Sequence, residues 1–376
     1  MEKYFGGSGV LIYLFFGFFL LLIGQRYLLP LALIRLKKRE AIILALLTFL
    51  ALGIAFALVY PVADSGVFGG GSDSDDAVEV AARALLNGQY PYYRETYLGG
   101  GLYFPGSILL SLPFALLGHI AYQNLFFLIL FFLFSCFYLP GIHSALFLFW
   151  NILFCPSILL GLLVGSERIA SGIYVPLFSF WAVKETIEGR RKILKWASAI
   201  LLGISICSRA NFLLLLPIIF STVFQKAERK EAIEFLVLTG LGLACAFVPF
   251  FLYDPAAFWH RTVIAQADLL IELNHSWAFS GTLLLISTLT LSFMLASRPA
   301  KEWDRFLFLN CAAIQAFPVL SVVILSSLQN GKLCLFYSDY GLQFLFFSAL
   351  AAKKDIFGLK FVEGKRNDLC GNRSGG

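Results

Sequence analysis

Charged residues are scarce in this sequence of 376 residues. Only 14% of them are Asp, Glu, Lys or Arg, against about 25% in a typical soluble domain. A soluble chain of this length needs many more polar side chains to cover its surface, so the composition excludes an ordinary soluble globule. By contrast, 59% of the residues are hydrophobic and 16% are aromatic, which predicts an integral membrane protein.

Cysteine and the common catalytic motifs are also poorly represented. The seven cysteines are scattered, mostly within apolar runs, and form neither a disulfide framework nor a CxxC metal site. The sequence has no P-loop, no dinucleotide-binding glycine pattern, no HExxH motif and no GxSxG elbow. We therefore set aside those enzyme classes and predict no metal site.

Long apolar runs fill most of the chain, and about 20 apolar residues cross a bilayer core as one helix. Lys and Arg cluster between certain runs, and the positive-inside rule places such clusters in the cytoplasm. A consistent topology has 11 crossings with the N-terminus outside, provided that 103–118 does not cross and 195–224 crosses twice, turning at 208–211. The apolar runs cover roughly 9–34, 41–63, 103–118, 120–139, 143–163, 169–184, 195–224, 232–252, 281–297, 306–327 and 333–352.

This topology predicts an all-α fold, a polytopic membrane helix bundle of about 11 spans. Residues 1–352 form one transmembrane domain, with large outer loops at 64–118 and 254–280, and residues 353–376 form a cytoplasmic tail. On this topology 22 of the 29 Lys and Arg residues are cytoplasmic. Because the basic clusters flank helices, we expect them to anchor the chain on membrane lipids, and we expect no nucleic-acid partner.

The first outer loop is acidic at its start and then helix-like. Ser74 or Asp75 can cap a helix with Asp76 in its first turn. The tyrosine-rich stretch 90–93 follows, of a kind that lies at membrane interfaces or stacks against sugar rings. The acidic residues, Asp73 among them, are either a solvated capping patch or, since they follow a membrane exit, groups that face a lipid-anchored substrate.

This loop resembles the GT-C superfamily of integral-membrane glycosyltransferases, especially the mannosyl and arabinosyl transferases that use polyprenyl-phosphate sugars. Within 63–118 the resemblance is carried by an Asp after an early crossing, Ala-Ala-x-Ala-Leu-Leu-x-Gly, Tyr-Pro-Tyr and Tyr-Phe-Pro. It implies a GT-C bundle with interfacial helices in this loop and a catalytic Asp about six residues before Ala81-Ala82. That position is Asp75, with Asp76 and Asp64 as alternatives.

Further polar residues are expected on the same face. By the resemblance, Glu167 orients acceptor hydroxyls or holds a divalent cation if one is used, and Arg168 meets the donor phosphate. Arg209 is a second candidate for the phosphate, since a guanidinium suits phosphate oxygens. The plainer alternatives are an ionic turn at Glu167 and Arg168 and an Arg209 that snorkels to the interface. Asp339 lies in the outer half of the last crossing, where Lys332 either pairs with it or binds phosphate.

The resemblance implies an inverting glycosyltransferase on the extracytoplasmic face of the cell membrane. It moves a mannose-like sugar from a polyprenyl-phosphate donor to a lipid, glycan or protein acceptor, with Tyr92 and Tyr93 in substrate binding and no required cofactor. The alternatives are a transporter or flippase for lipid-linked saccharides, or an O-antigen-polymerase-like enzyme. Transporters usually place polar residues near mid-membrane, whereas here these residues gather at the outer surface.

Overall fold

The computed structural model describes residues 36–65, 73–96, 102–189, 191–264, 277–330 and 342–352. Over these ranges the chain is helical and contains no strand, so the prediction of an all-α fold is confirmed there. The α-helices are α1 (Lys38–Asp64), α2 (Asp73–Leu86), α3 (Pro105–Leu116), α4 (Tyr122–Tyr138), α5 (Ile142–Leu153), α6 (Pro156–Leu163), α7 (Glu167–Glu188), α8 (Lys192–Ile206), α9 (Leu216–Lys226), α10 (Arg229–Tyr253), α11 (Pro255–Trp259), α12 (Trp277–Ala296), α13 (Trp303–Asn330) and α14 (Leu342–Ala351).

Three of the described helices are long and apolar enough to span a membrane: α1, α10 and the Trp303–Leu325 part of α13. The pair α5 and α6 also qualifies if it is counted as one span, although the chain bends by 82° between them. These helices support a membrane protein. The described residues thus contain three or four helices able to cross, where 11 crossings are predicted, and the run 143–163 forms a bent pair of helices.

The helix bounds agree with the topology at 103–118, and they divide the run 195–224 without testing whether it crosses the membrane twice. The run 103–118 contains α3, whose 12 residues extend only about 18 Å, too short for a bilayer core of about 30 Å. The run 195–224 is divided into α8 and α9, with a 3₁₀ segment, Ala210–Leu215, between them. The chain therefore leaves the first of these helices just before Arg209.

α7 is the central helix of the bundle. Its side chains are buried along most of its length, and Ile169, Ile173 and Val183 are completely inaccessible. It packs against α4, α8, α9 and α14. A helix that is buried on all sides is surrounded by protein, so the first turn of α7 also begins inside the bundle.

Glycines allow α8 to approach its neighbours closely. A Cβ atom on Gly203 would lie 2.1 Å from the carbonyl oxygen of Thr239 in α10, and one on Gly106 would lie 2.2 Å from that of Ile204. Small residues at such crossings are typical of membrane helix packing. This packing fixes α8, and with it the position of Arg209 just beyond its C-terminus.

The charged residues divide the bundle into two ends. At what we call the acidic end, the C-terminus of α1 meets the N-termini of α2 and α7, through Tyr60 with Asp75 and Ser74 with Glu167. At the basic end, the N-terminus of α8 meets that of α10 through Lys195. The acidic end carries Asp64, Asp73, Asp75, Asp76, Glu79 and Glu167 together with Arg168 and Arg209, and the basic end carries Lys37, Lys38, Arg39, Lys192, Lys195, Lys226, Arg229, Lys230, Lys301 and Arg305 together with Glu231 and Glu234.

Candidate functional site

The candidate site lies where α2 and α7 begin at the acidic end. The Ser74 hydroxyl accepts a hydrogen bond from the backbone N–H of Glu167 at 3.1 Å and lies 3.2 Å from the Ser166 hydroxyl. It thereby satisfies an N–H group that the first turn of α7 leaves without an intrahelical partner. The Asn124 amide donates to the carbonyl of Ser166 at 3.0 Å. These bonds join the two helix starts and bring Asp75 and Glu167 to one junction.

Asp75 is a buried carboxyl that has one unpartnered oxygen. The residue is 2% exposed. The Tyr60 hydroxyl donates to Oδ2 at 3.3 Å, whereas Oδ1 has no hydrogen-bond partner among the described residues. Burial, and next the charge of Asp76, raises the pKa of Asp75 to about 8. A carboxyl whose pKa lies near neutrality can both take up and release a proton at working pH.

Gly165 covers the Asp75 carboxyl from the turn before α7. Its φ is +82°, and a Cβ atom there would lie 2.9 Å from Oδ2 of Asp75 and 2.4 Å from Cε2 of Tyr60. Glycine is suited to this position because it adopts positive φ without strain and has no Cβ to collide. The turn therefore holds the carboxyl and the tyrosine ring together.

Glu167 forms a buried ion pair with Arg209. The pair joins Oε2 of Glu167 to Nη2 of Arg209. Two hydroxyls also donate to Oε1 of Glu167, Ser107 at 2.8 Å and Tyr174 at 3.3 Å, and the guanidinium lies 4.2 Å from the centre of the Tyr103 ring. Buried charges need such additional contacts to offset their desolvation. The ion pair, the two hydroxyls and the Tyr103 ring therefore form one buried polar network.

The network brings together two residues that the sequence suggested separately, 42 positions apart. Arg209 is only 7% exposed, so it is enclosed by protein and does not extend to an interface. The Nε–H group of Arg209 is therefore a buried hydrogen-bond donor that lies beside the Glu167 carboxylate and has no partner among the described residues.

The other acidic and basic candidates occupy different places at this end. Asp64 is exposed at the last position of α1, and Asp76 is partly buried next to Asp75. Arg168 is partly buried in the first turn of α7, and Asp73 is the first residue of α2.

Lys332 and Asp339 lie outside the described residues. Among the residues that are described, no group of three or more His, Cys, Asp or Glu side chains is arranged to hold a metal ion.

Tyr92 and Tyr93 of the first outer loop differ in exposure and in hydrogen-bond partner. Tyr92 is 1% exposed, donates to the carbonyl of Tyr103 at 3.0 Å and packs edge-on against Phe258. Tyr93 is 58% exposed and donates to Oδ2 of Asp254 at 3.0 Å. Tyr92 therefore belongs to the packing beneath the loop, and only the Tyr93 ring is accessible to a ligand.

Sequence reasoning missed three residues of the site: Tyr60, Ser107 and Tyr174. Tyr60 and Ser107 are isolated polar residues within apolar runs, so no spacing of polar residues indicated a role for them. Tyr174 had a usable signal, because Glu167, Ser171 and Tyr174 are spaced four and three residues apart and so share one face of α7. A polar stripe on an otherwise apolar helix indicates buried hydrogen bonding.

Comparison of this chain with family models, curated proteins and solved structures gives no match. The geometry of the acidic end is therefore the basis on which a function can be argued.

Proposed function

We propose that this protein is an inverting membrane glycosyltransferase of GT-C type, which transfers a sugar from a polyprenyl-phosphate donor at the acidic end of the bundle. The observation that carries the proposal is the buried Asp75 carboxyl, with Oδ1 unpartnered. It lies at the same junction as the guanidinium of Arg209. A proton acceptor and a positive group are the two needs of this reaction.

In the proposed reaction, Oδ1 of Asp75 accepts the proton of an acceptor hydroxyl. The freed oxygen lone pair forms a bond to the anomeric carbon of the donor sugar. At the same time the bond from that carbon to the phosphate oxygen breaks, and polyprenyl phosphate leaves with the electron pair. Attack from the side opposite to the leaving group inverts the configuration at the anomeric carbon.

The departing phosphate gains negative charge, which preorganised donors stabilise. Arg209 supplies a guanidinium with Nε unpartnered, and its pairing with Glu167 fixes its direction. The N-termini of α3 and α7 start at this network, through Ser107 and Glu167, and helix N-termini favour anions. Arg168, in the first turn of α7, is a further candidate for the phosphate.

A polyprenyl-phosphate donor requires the site to lie at the membrane surface. A polyprenyl chain keeps its phosphate at the bilayer interface, and α1 ends at Asp64 after 27 residues of a membrane-capable helix. The basic end is assigned to the cytoplasm by the positive-inside rule. The acidic end is therefore proposed to be extracytoplasmic.

The test is a sugar-transfer assay in membranes that contain the protein, with radiolabelled polyprenyl-phosphate mannose as the first donor. Asp75→Asn should lower turnover by about 10²- to 10⁴-fold, the usual worth of a general base. Because the raised pKa of Asp75 is about 8, the wild-type rate should rise with pH up to about 8. Asp64→Asn is the matched control, since Asp64 is exposed nearby, and it should keep nearly full activity.

Full activity in Asp75→Asn would exclude Asp75 as the base. If Asp76→Asn or Asp64→Asn abolished transfer in its place, the base would be reassigned to that residue. The absence of transfer from a panel of polyprenyl-phosphate sugars to endogenous membrane acceptors would overturn the proposed activity itself.

One observation favours a second candidate, a proton-coupled transporter of saccharides. A buried carboxyl with a raised pKa and no cationic partner is typical of proton relays in membrane proteins. Within the part of the chain that the structure describes, Asp75 has these properties. Solute uptake into proteoliposomes that is driven by a pH gradient, lost in Asp75→Asn and accompanied by no sugar transfer, would favour this candidate over the transferase.

A further inference from the structure

The Asp75 carboxyl is held from one side by a residue of the first described membrane helix. Tyr60 lies 15 positions earlier, in the last turns of α1, and its hydroxyl donates to Oδ2. We infer that Tyr60 is a positioning residue, which occupies Oδ2 and leaves Oδ1 as the oxygen that takes the proton from a ligand. This inference rests on the proposed function, because it assigns the reacting atom of the proposed base.

The Tyr60 ring is fixed on several sides. It is 6% exposed and stacks on Phe56 at 4.9 Å between centroids, with an angle of 8° between the ring planes. His119 meets it edge-on at 5.9 Å. Gly165 lies so close that a Cβ atom would overlap the ring. With the ring fixed, the hydroxyl oxygen is held within hydrogen-bond distance of Oδ2 of Asp75.

The hydrogen bond from Tyr60 affects the pKa of the Asp75 carboxyl as well as the orientation of that carboxyl. A hydroxyl that donates to a carboxylate stabilises the charged form, whereas burial and acidic neighbours favour the protonated form. The titratable groups around the Asp75 carboxyl are Tyr60 and Asp64 of α1, His119 before α4, Asp76 and Glu79 of α2 and Glu167 of α7. Among the hydrogen bonds described for Asp75, the one from Tyr60 is the side-chain donor that supports its carboxylate.

The first experiment compares the pH dependence of sugar transfer in Tyr60→Phe and in the wild type. Removing the hydroxyl should move the acid limb of the rate profile upward by about one pH unit, equivalent to about 1.36 kcal/mol, because the charged form of the carboxyl loses a hydrogen-bond donor. The plateau rate at high pH and the KM for the donor should change little. Tyr122→Phe is the matched control, since Tyr122 contacts the same Phe56 and His119 rings.

A second readout does not depend on activity. An infrared titration can follow the carbonyl stretch of the protonated Asp75 carboxyl, which is identified as the band that disappears in Asp75→Asn. Tyr60→Phe should raise the midpoint of this band by the same amount as the rate profile, and Tyr122→Phe should leave it in place.

The two readouts separate the possible failures. An unchanged infrared midpoint and an unchanged rate profile in Tyr60→Phe would overturn the role of Tyr60, whatever the protein catalyses. A shifted midpoint in a protein that transfers no sugar would support the link between Tyr60 and Asp75 and overturn the proposed function alone.

Discussion

The acidic and basic ends of the bundle both hold an ion pair between helices, and the two pairs differ in burial. At the basic end, Lys195 of α8 contacts Glu231 and Glu234 of α10, whose side chains are 34% and 25% exposed. At the acidic end, the Glu167 side chain is completely buried and that of Arg209 is 8% exposed. Solvated carboxylates can lose a partner at little cost, whereas a buried one cannot.

The Asp75 carboxyl is a second difference between the two ends. Asp75 is buried at the acidic end, and among the described residues no cation pairs with it and one of its oxygens has no hydrogen-bond partner. A group of this kind lowers stability when it ionises, and such groups concentrate at functional sites. The two ends therefore differ in the burial of their charged groups, and the proposed chemistry is assigned to the acidic end for that reason.

The largest expected effect comes from breaking the buried pair. Arg209→Met should destabilise the protein by about 3–5 kcal/mol, because it leaves the Glu167 carboxylate buried without its cation. Thermal unfolding in detergent measures this loss. The double variant Arg209→Met with Glu167→Gln should recover much of the lost stability, since the unpaired Glu167 carboxylate is then also removed. A double variant as unstable as the single one would show that packing on Tyr103, and not charge, decides the result.

An intermediate effect, of opposite sign, is expected at Asp75. The folded protein keeps the carboxyl protonated up to about pH 8, whereas the unfolded chain releases that proton near pH 4. Stability of the wild type should therefore fall as the pH rises from about 4 to about 8. Asp75→Asn lacks this loss and should be more stable by about 1–3 kcal/mol at pH 9, the usual penalty of an unsatisfied buried group.

The check on Asp75 is a set of melting temperatures at pH 5, 7 and 9 for both proteins. The difference between them should widen with pH, and Asp64→Asn should show no such widening, because its carboxyl is exposed. A constant difference would mean that the Asp75 carboxyl is already ionised in the folded protein at pH 5.

The smallest effect is expected at the basic end. Glu234→Gln should cost only about 0.2–1 kcal/mol, because the carboxylate is partly solvated and Lys195 keeps Glu231 as a partner. Thermal unfolding at low and high salt measures it, and the small loss should shrink further as salt screens the pair. A loss as large as that of Arg209→Met would remove the distinction between the two ends.

Local features of the sequence were sufficient for several elements. The 59% hydrophobic composition and the length of the apolar runs predicted an all-helical membrane protein. The run 195–224 was predicted to turn at 208–211, and the described chain leaves the helix α8 at Ile206. A break in the helix is expected there because charged and amide side chains such as Arg209 and Asn211 are costly in lipid.

Other elements could not be read from the sequence. Hydropathy does not distinguish a helix that faces lipid from one surrounded by helices, since both are apolar. For that reason the run 169–184 was predicted to cross the membrane, but the sequence did not indicate that α7, which contains it, is the central helix. The sharp bend between α5 and α6 was also missed, although Pro156 stands at it and proline favours such breaks.

Composition and local order were enough to predict a helical membrane protein and to show which helix ends carry acidic or basic residues. Which charges meet depends on how the helices pack. Glu167 joins Arg209 across 42 positions, and Tyr60 joins Asp75 across 15. The apolar period of a helix fixes the face that is buried but does not fix the helix that covers it, so the partner of each buried charge follows from packing alone.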